Sequence, residues 1–197
     1  MILNIALTGG PCAGKSTAME TLNNAMAEIG ISVVVAPEAA TQIIMEGMAP
    51  GTISFQKTVF LRQLKLEAEA MKKAERADRV VVLNDRSLMD QLAYVDRKTF
   101  NSFLIDVGMD INQVLNRYDK VVHLVSAAVG TTAYTTANNQ ARRESLEEAI
   151  AMEQKTLMAN RIFGRKLVVV DNSTSFAGKM DRVVKIIKTA LSEKGSC

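Results

Sequence analysis

The sequence predicts a three-layer α/β fold, a parallel sheet with helices on both faces, and three observations predict it. Short apolar runs alternate with helical patterns along the 197-residue chain, and that alternation implies parallel strands joined by right-handed crossovers. The run Arg79 to Asn84 is nearly all apolar, as a strand buried on both faces of a parallel sheet must be. The segment Gly9-Gly10-Pro11-Cys12-Ala13-Gly14-Lys15-Ser16-Thr17 fits G-x-x-x-x-G-K-[ST] at Gly9, Gly14, Lys15 and Ser16, the phosphate-binding loop of P-loop NTPase folds.

Each element has its own signal. Ile2 to Thr8 is short, apolar and β-branched, a buried strand leading into the loop. After the loop, Ser16 to Ile29 sets Met19, Leu22, Met26 and Ile29 at helical spacing without Pro. Gly30 stops that helix, and Ile31 to Ala36 reads as a second strand ending at Pro37-Glu38. A helical stretch runs to about Met45, breaks between Gly47 and Gly51, and a long helical pattern follows from Ile53 to Ala77. The Arg79 strand then runs straight into Asp85-Arg86-Ser87, and Leu88 to Val95 reads as a helical turn carrying Asp90 and Tyr94. Two short helical patterns flank Gly108, and Lys120 to Ser126 and Leu167 to Val170 complete the strands. Between these last two lie a small, Thr-rich stretch and a helix from about Ala141 to Phe163; a final helix spans about Ala177 to Leu191. With no repeat, linker or low-complexity tract, residues 1–197 read as one domain with a lid at about 127–143.

Composition narrows the function. A net charge of +3, dispersed along the chain, argues against nucleic acid or an anionic membrane surface as partner. Two cysteines, one in the loop and one at the terminus, make no disulfide framework. No apolar run reaches the length of a membrane span, and the N-terminus lacks a signal-peptide pattern, so the cytoplasm is the expected compartment. The oligomeric state is left open.

The chemistry is read from strand ends, because ligands of parallel α/β sheets sit beyond the C-terminal ends of the strands. Thr8, Glu38, Asp85, Ser126 and Asp171 all fall at such ends, which predicts one cleft. Gly9 and Gly14 allow a backbone path that lets successive N–H groups close around a phosphate. Gly10, Pro11, Cys12, Ala13 and Thr17 complete the nucleotide-binding loop. Lys15 reaches the β- and γ-phosphates, while the Ser16 hydroxyl and Asp85 are the candidate Mg²⁺ ligands. Glu38 and Asp85 are the candidates for orienting or deprotonating an acceptor hydroxyl; the alternative for Glu38 is a charge at the start of the next helix. Arg86 would hold the transferring phosphate or pair with a carboxylate. Arg142 and Arg143 would bring cations from the lid, or else pair in solvent with Glu147 and Glu148.

The remaining reactive types have structural readings. His123, the sole histidine, lies mid-strand and is expected to be a hydrogen-bonded core residue. Cys12 is expected to serve as a small loop residue. Tyr94 and Phe55 would stack on a base or pack in the core. No Cys/His cluster has zinc spacing. A small-GTPase switch is excluded because Asn116-Arg117-Tyr118-Asp119 precedes a strand and no D-x-x-G follows Asp85. The chain also lacks room for the helical domain of a ring-forming ATPase.

With these residues in place, the sequence resembles the small P-loop kinase-like family of AAA type. That family includes the ribosylnicotinamide kinase domain of bacterial NAD-regulator proteins and the nucleotide-binding domain of an animal protein needed for TRP-channel trafficking. The resemblance rests on Gly9 to Thr17, Pro37-Glu38-Ala39-Ala40-Thr41, Asp85-Arg86-Ser87 with Asp90 and Ala93-Tyr94, and His123-Leu124. It continues in Tyr134-Thr135-Thr136-Ala137-Asn138-Asn139 with Arg142, and in Asp171-Asn172. More distantly the chain is similar to the deoxynucleoside kinases, which carry Glu where Asp85 stands. The resemblance implies five parallel strands in the order 2-3-1-4-5, a lid after the fourth, and a loop from Asp171 to Phe176 bordering the adenine.

The expected function is Mg²⁺-dependent transfer of the ATP γ-phosphate to a small hydroxyl acceptor, a nucleoside or nicotinamide-riboside-like compound, with GTP as a possible donor. Lys15, Glu38, Asp85, Arg86 and Arg142 would carry it. The alternative is a nucleotide-dependent binding module or slow NTPase acting through a protein or phosphoinositide. A kinase acting on a polynucleotide hydroxyl would require strong, salt-sensitive nucleic-acid binding.

Overall fold

A computed structural model describes residues 1–130 and 145–195. Five strands, β1 (Ile2–Thr8), β2 (Ser32–Ala36), β3 (Val80–Asp85), β4 (Lys120–Leu124) and β5 (Leu167–Val170), form one sheet in the order β2-β3-β1-β4-β5. Every pairing is parallel. This is the parallel α/β sheet that the alternation of segments predicts, in the strand order that the resemblance implies, and it is consistent with a P-loop NTPase-type fold. The register sets Leu7 beside Asp85 and Thr8 beside His123, so the ends of the three central strands lie together.

The helices are α1 (Lys15–Ala27), α2 (Ala39–Met45), α3 (Ile53–Ala74), α4 (Arg97–Asp106), α5 (Ile111–Leu115), α6 (Leu146–Asn160) and α7 (Phe176–Gly195). Alternate residues of each strand face opposite layers. Leu3, Ile5 and Leu7 pack with Leu22 and Met26 of α1 and with Val183 and Ile187 of α7. Ala6 and Val121 face the other way, onto Phe60 of α3, Phe100 and Phe103 of α4, and Val114 of α5. Both faces of the sheet are therefore covered, which is why the strands read as almost unbroken apolar runs.

Local capping explains the helix starts. Thr52, Asp96, Asp110 and Ser145 each accept a backbone N–H of the first turn, and Asp110 and Ser145 complete capping boxes with Gln113 and Glu148. The helix expected to run to Phe163 ends at Asn160, and a 3₁₀ segment follows over Arg161–Lys166, broken by Gly164 at φ 55°. The start expected near Ala141, and most of the expected lid with Arg142 and Arg143, lie outside the described residues. Strand β4 stops at Leu124 instead of Ser126, and beyond it the Ser126 hydroxyl donates to the Pro11 carbonyl. Among the described residues no helix is long and apolar enough to cross a membrane.

Candidate functional site

The loop Gly9 to Gly14 leaves β1 and enters α1 through three left-handed residues other than the flanking strand: Gly9 (φ 145°), Cys12 (φ 56°) and Gly14 (φ 88°). Gly9 has no room for a side chain, since a Cβ there would stand 2.2 Å from the Leu124 carbonyl oxygen. Gly14 occupies the N-cap of α1, where no side-chain cap hydrogen bond is made. The first-turn N–H groups of α1 are thus oriented to meet an anion. Lys15 is half-buried, and the Ser16 and Thr17 side chains are exposed at that same helix start.

Glu38 is the N-cap residue of α2, but its carboxylate makes no capping bond. It accepts instead from Arg86 Nε and from Thr41 Oγ1 at 2.7 Å. Glu38 is thus a charge at the start of α2, as the alternative reading has it, and is at the same time paired with Arg86. Arg86 follows β3 with φ 85°, uncommon for a residue with a side chain. Its N–H is held by the Leu7 carbonyl at 2.9 Å. Strain of this kind persists where surrounding contacts over-determine it, as the pair with Glu38 does here.

Behind Arg86 lies a buried polar network that the sequence does not announce. Asp90 accepts from the Thr8 hydroxyl at 2.8 Å and from Asn160 Nδ2 at 2.6 Å, with Arg86 Nη1 at 3.5 Å. The Ser87 hydroxyl lies 2.6 Å from Asn160 Oδ1. The end of β1, the residues after β3 and the end of α6 are so tied to one carboxylate.

A family model described as an AAA domain matches residues 4–178. The chain belongs to the AAA domain family. No curated protein matches it. Nucleotide binding of the P-loop NTPase type follows from that membership, and the loop, Glu38, Asp85, Arg86 and Asp171 all fall inside the matched span.

Within this AAA domain, Lys15, Glu38, Asp85 and Arg86 form one electrostatic cluster. Burial lowers the Lys15 ammonium from its ordinary value, Arg86 adds to this, and Asp85, Glu38 and Asp90 oppose it. Burial raises the Asp85 carboxyl, while Lys15 pulls the other way. Its Oδ1 is buried and has no protein partner. Burial would also raise Glu38, but Arg86, Lys15 and Thr41 together hold it down at about 2.

An orphaned carboxylate oxygen on Asp85, in a cluster with Glu38, Lys15 and Arg86, suits a divalent cation. Among the described residues no group of three or more His, Cys, Asp or Glu forms a metal cage. Mg²⁺ is typically held by few protein ligands together with phosphates and water.

The other sequence-singled residues fall elsewhere. Asp171, after β5, is exposed and engages Ser173 Oγ at 2.6 Å and Arg182 Nη1 at 2.7 Å. Asn172 gives its amide hydrogens to the Ser126 and Val129 carbonyls, each at 2.9 Å. Neither joins the Lys15 cluster, although Phe176, at the start of α7, is more than half exposed and touches the space beside Gly14. Tyr94 is 42% exposed. Phe55 is buried against Ala39, Ile43 and Val59, so it is core and not a stacking surface. His123 is fully buried, with Nε2 2.6 Å from Glu153 Oε1, as a core histidine with a partner.

The Glu38 pairing has a pH signature. A carboxyl depressed to about 2 contributes stability that is complete above its unfolded value of 4.5 and is lost as pH falls toward 2. The contribution is on the order of 3 kcal/mol. Asp85, whose carboxyl is raised, acts in the opposite sense. Thermal melts between pH 5 and pH 2 should therefore show a steeper acid decline in the wild type than in Glu38→Gln; equal slopes would contradict the pairing.

Proposed function

We propose that this AAA domain is a Mg²⁺-dependent small-molecule kinase, transferring the γ-phosphoryl group of ATP to a hydroxyl of a nucleoside or nicotinamide-riboside-like acceptor. The observation that carries the reading is the convergence of Glu38, Asp85 and Arg86 on the side of Lys15. A nucleotide hydrolase needs one water-positioning group; a paired carboxylate and arginine beyond the Mg²⁺-type aspartate suit a second substrate. The resemblance to ribosylnicotinamide and deoxynucleoside kinases supports the same choice.

In this reading the loop amides and Lys15 hold the β- and γ-phosphates. Ser16 and Asp85 would hold Mg²⁺, which when bound supplies charge neutralisation at the phosphate oxygens. The acceptor oxygen forms a bond to the γ-phosphorus as the bridging bond to the β-phosphate breaks, and the acceptor proton passes to a carboxylate. Glu38 would be a weak base while Arg86 grips it and holds its carboxyl at about 2. Movement of Arg86 onto the phosphoryl oxygens would restore Glu38 to a proton acceptor at the moment transfer needs one. Phe176 and the Asp171 loop would border the base, and the 127–143 segment would serve as the lid, with Arg142 as its cation. GTP would be an alternative donor.

One observation favours a second reading. The Glu38–Arg86 pair is closed, and a protein in which it stays closed would bind nucleotide and hydrolyse it slowly, acting through a partner. Separate Glu38→Gln and Asp85→Asn variants decide. The kinase reading expects each to lower acceptor phosphorylation by about 10²-fold or more with Mg·ATP binding retained for Glu38→Gln. Undiminished transfer in both would overturn it.

A further inference from the structure

Two buried charged side chains outside the Lys15 cluster hold the phosphate loop at two of its peptide groups. Glu153, on α6, accepts the Gly10 N–H on Oε2 at 2.7 Å, and its Oε1 faces His123 Nε2 at 2.6 Å. A Cβ on Gly10 would stand 2.7 to 3.0 Å from Glu153 atoms, so loop and helix touch there. Lys179, on α7, donates from Nζ to the Ala13 carbonyl at 3.2 Å, the Val125 carbonyl at 2.5 Å and Asn172 Oδ1 at 3.0 Å. Glu153 and Lys179 are 3% and 2% exposed.

Stability alone is a poor reason for this arrangement. Burying a carboxylate and an ammonium carries a desolvation penalty that well-packed apolar residues avoid. What the two contacts do is fix peptide planes. In a trans peptide the N–H and the preceding C=O point in opposite directions. Holding the Gly10 N–H toward Glu153 turns the Gly9 carbonyl away from it, and Gly9 O lies 3.5 Å from Arg86 Nη1. Holding the Ala13 carbonyl toward Lys179 turns the Gly14 N–H away from Lys179. Both planes border left-handed residues, where the backbone needs outside support to keep one conformation.

We infer that Glu153 and Lys179 are positioning residues for nucleotide binding, setting the Gly9–Gly10 and Ala13–Gly14 peptide planes so that loop amides other than Gly10, the Gly14 N–H among them, meet phosphate. The inference rests on the nucleotide-binding reading of the loop.

The test measures the affinity of a fluorescent ATP analogue with Mg²⁺, and the melting of the ligand-free protein, for wild type, Glu153→Leu, Glu153→Gln and Lys179→Met. Glutamine offers its oxygen to Gly10 and its amide to the ring nitrogen of His123 in the other tautomer, so it keeps the plane without the charge. Glu153→Leu and Lys179→Met should each weaken binding by about tenfold or more, and Glu153→Gln by about threefold at most. Wild-type affinity in Lys179→Met, or in a Glu153→Leu protein that melts cooperatively, would overturn the inference. A loss in Glu153→Gln equal to that in Glu153→Leu would overturn it too, because the contact would then serve folding through its charge. If Glu153→Leu does not fold, Lys179→Met and Glu153→Gln decide. Failure of the wild type to bind at all would be visible in the same titration and would remove the nucleotide reading, and this inference with it.

Discussion

Gly9→Ala is expected to destabilise the protein by about 4 kcal/mol and to abolish Mg·ATP binding in whatever fraction still folds. The new Cβ would sit 2.2 Å from the Leu124 carbonyl oxygen and 2.8 Å from the Ala13 Cβ. The first of these is backbone at the end of a central strand, so the neighbour has no rotamer by which to retreat. The residue would also have to hold φ 145°, a region L side chains rarely adopt. Relief by rotating the Gly9–Gly10 peptide would pull the Gly10 N–H off Glu153. Stability and binding should therefore fail together, which denaturant unfolding and nucleotide titration of one preparation can read. Wild-type stability with intact binding would show that the loop adapts far more than its packing allows.

Arg86→Met is expected to lower acceptor phosphorylation by about 10³-fold, the scale on which an arginine stabilises transferring phosphoryl charge. The same change removes the cation from Glu38 and from the edge of Asp90. Burial then acts on Glu38 with only Lys15 and Thr41 opposing it, so its carboxyl should rise from about 2. The acid decline of stability between pH 4.5 and 2 should become shallower accordingly, because the folded value moves toward the unfolded one. Breaking a largely buried pair by removing one partner also costs about 3 kcal/mol. Kinetics and pH-dependent melting together separate the effects: a variant that loses turnover while keeping the wild-type acid profile would show that Arg86 does not hold Glu38 in solution.

The parts of this molecule legible in its sequence are those specified by neighbours along the chain. Strand, glycine loop and helix follow one another from Ile2 to Ala27, and local spacing is enough to find them. Glu38 and Asp85 could be picked out because each ends an apolar strand, and parallel topology gathers strand ends. Their electrostatic cluster with Lys15 is what that argument expects, although the pairing of Glu38 with Arg86 is not written in either segment.

What escaped the sequence is carried by helices that bury polar residues. In α6 the buried positions include Glu153, Thr156 and Asn160, while Leu146 and Met158 are exposed, so the hydrophobic pattern marks the wrong face. The available signal was the spacing of those three residues, which shares one helical face. A similar burial of polar groups occurs in α3, where buried Glu67 accepts from Gln63, Arg117 and Tyr118 while Leu61 faces solvent. Lys179 was hidden differently. It lies in a basic amphipathic helix whose other lysines suit a solvated face, and only the fold shows its ammonium among three oxygen acceptors. Arg86 at φ 85° has no sequence signal, since nothing local favours that conformation for arginine.

The central claim is that the Lys15 cluster serves transfer to a second substrate. The most direct measurement is ADP release from Mg·ATP across nucleosides, deoxynucleosides and nicotinamide riboside, with Lys15→Ala as the blank and products identified by mass. The account predicts release stimulated by one compound class, a product heavier by one phosphoryl group, and none of either in Lys15→Ala. Tight Mg·ATP binding with no stimulation by any acceptor would contradict it and leave the closed Glu38–Arg86 pair as the mark of a nucleotide-dependent binding module.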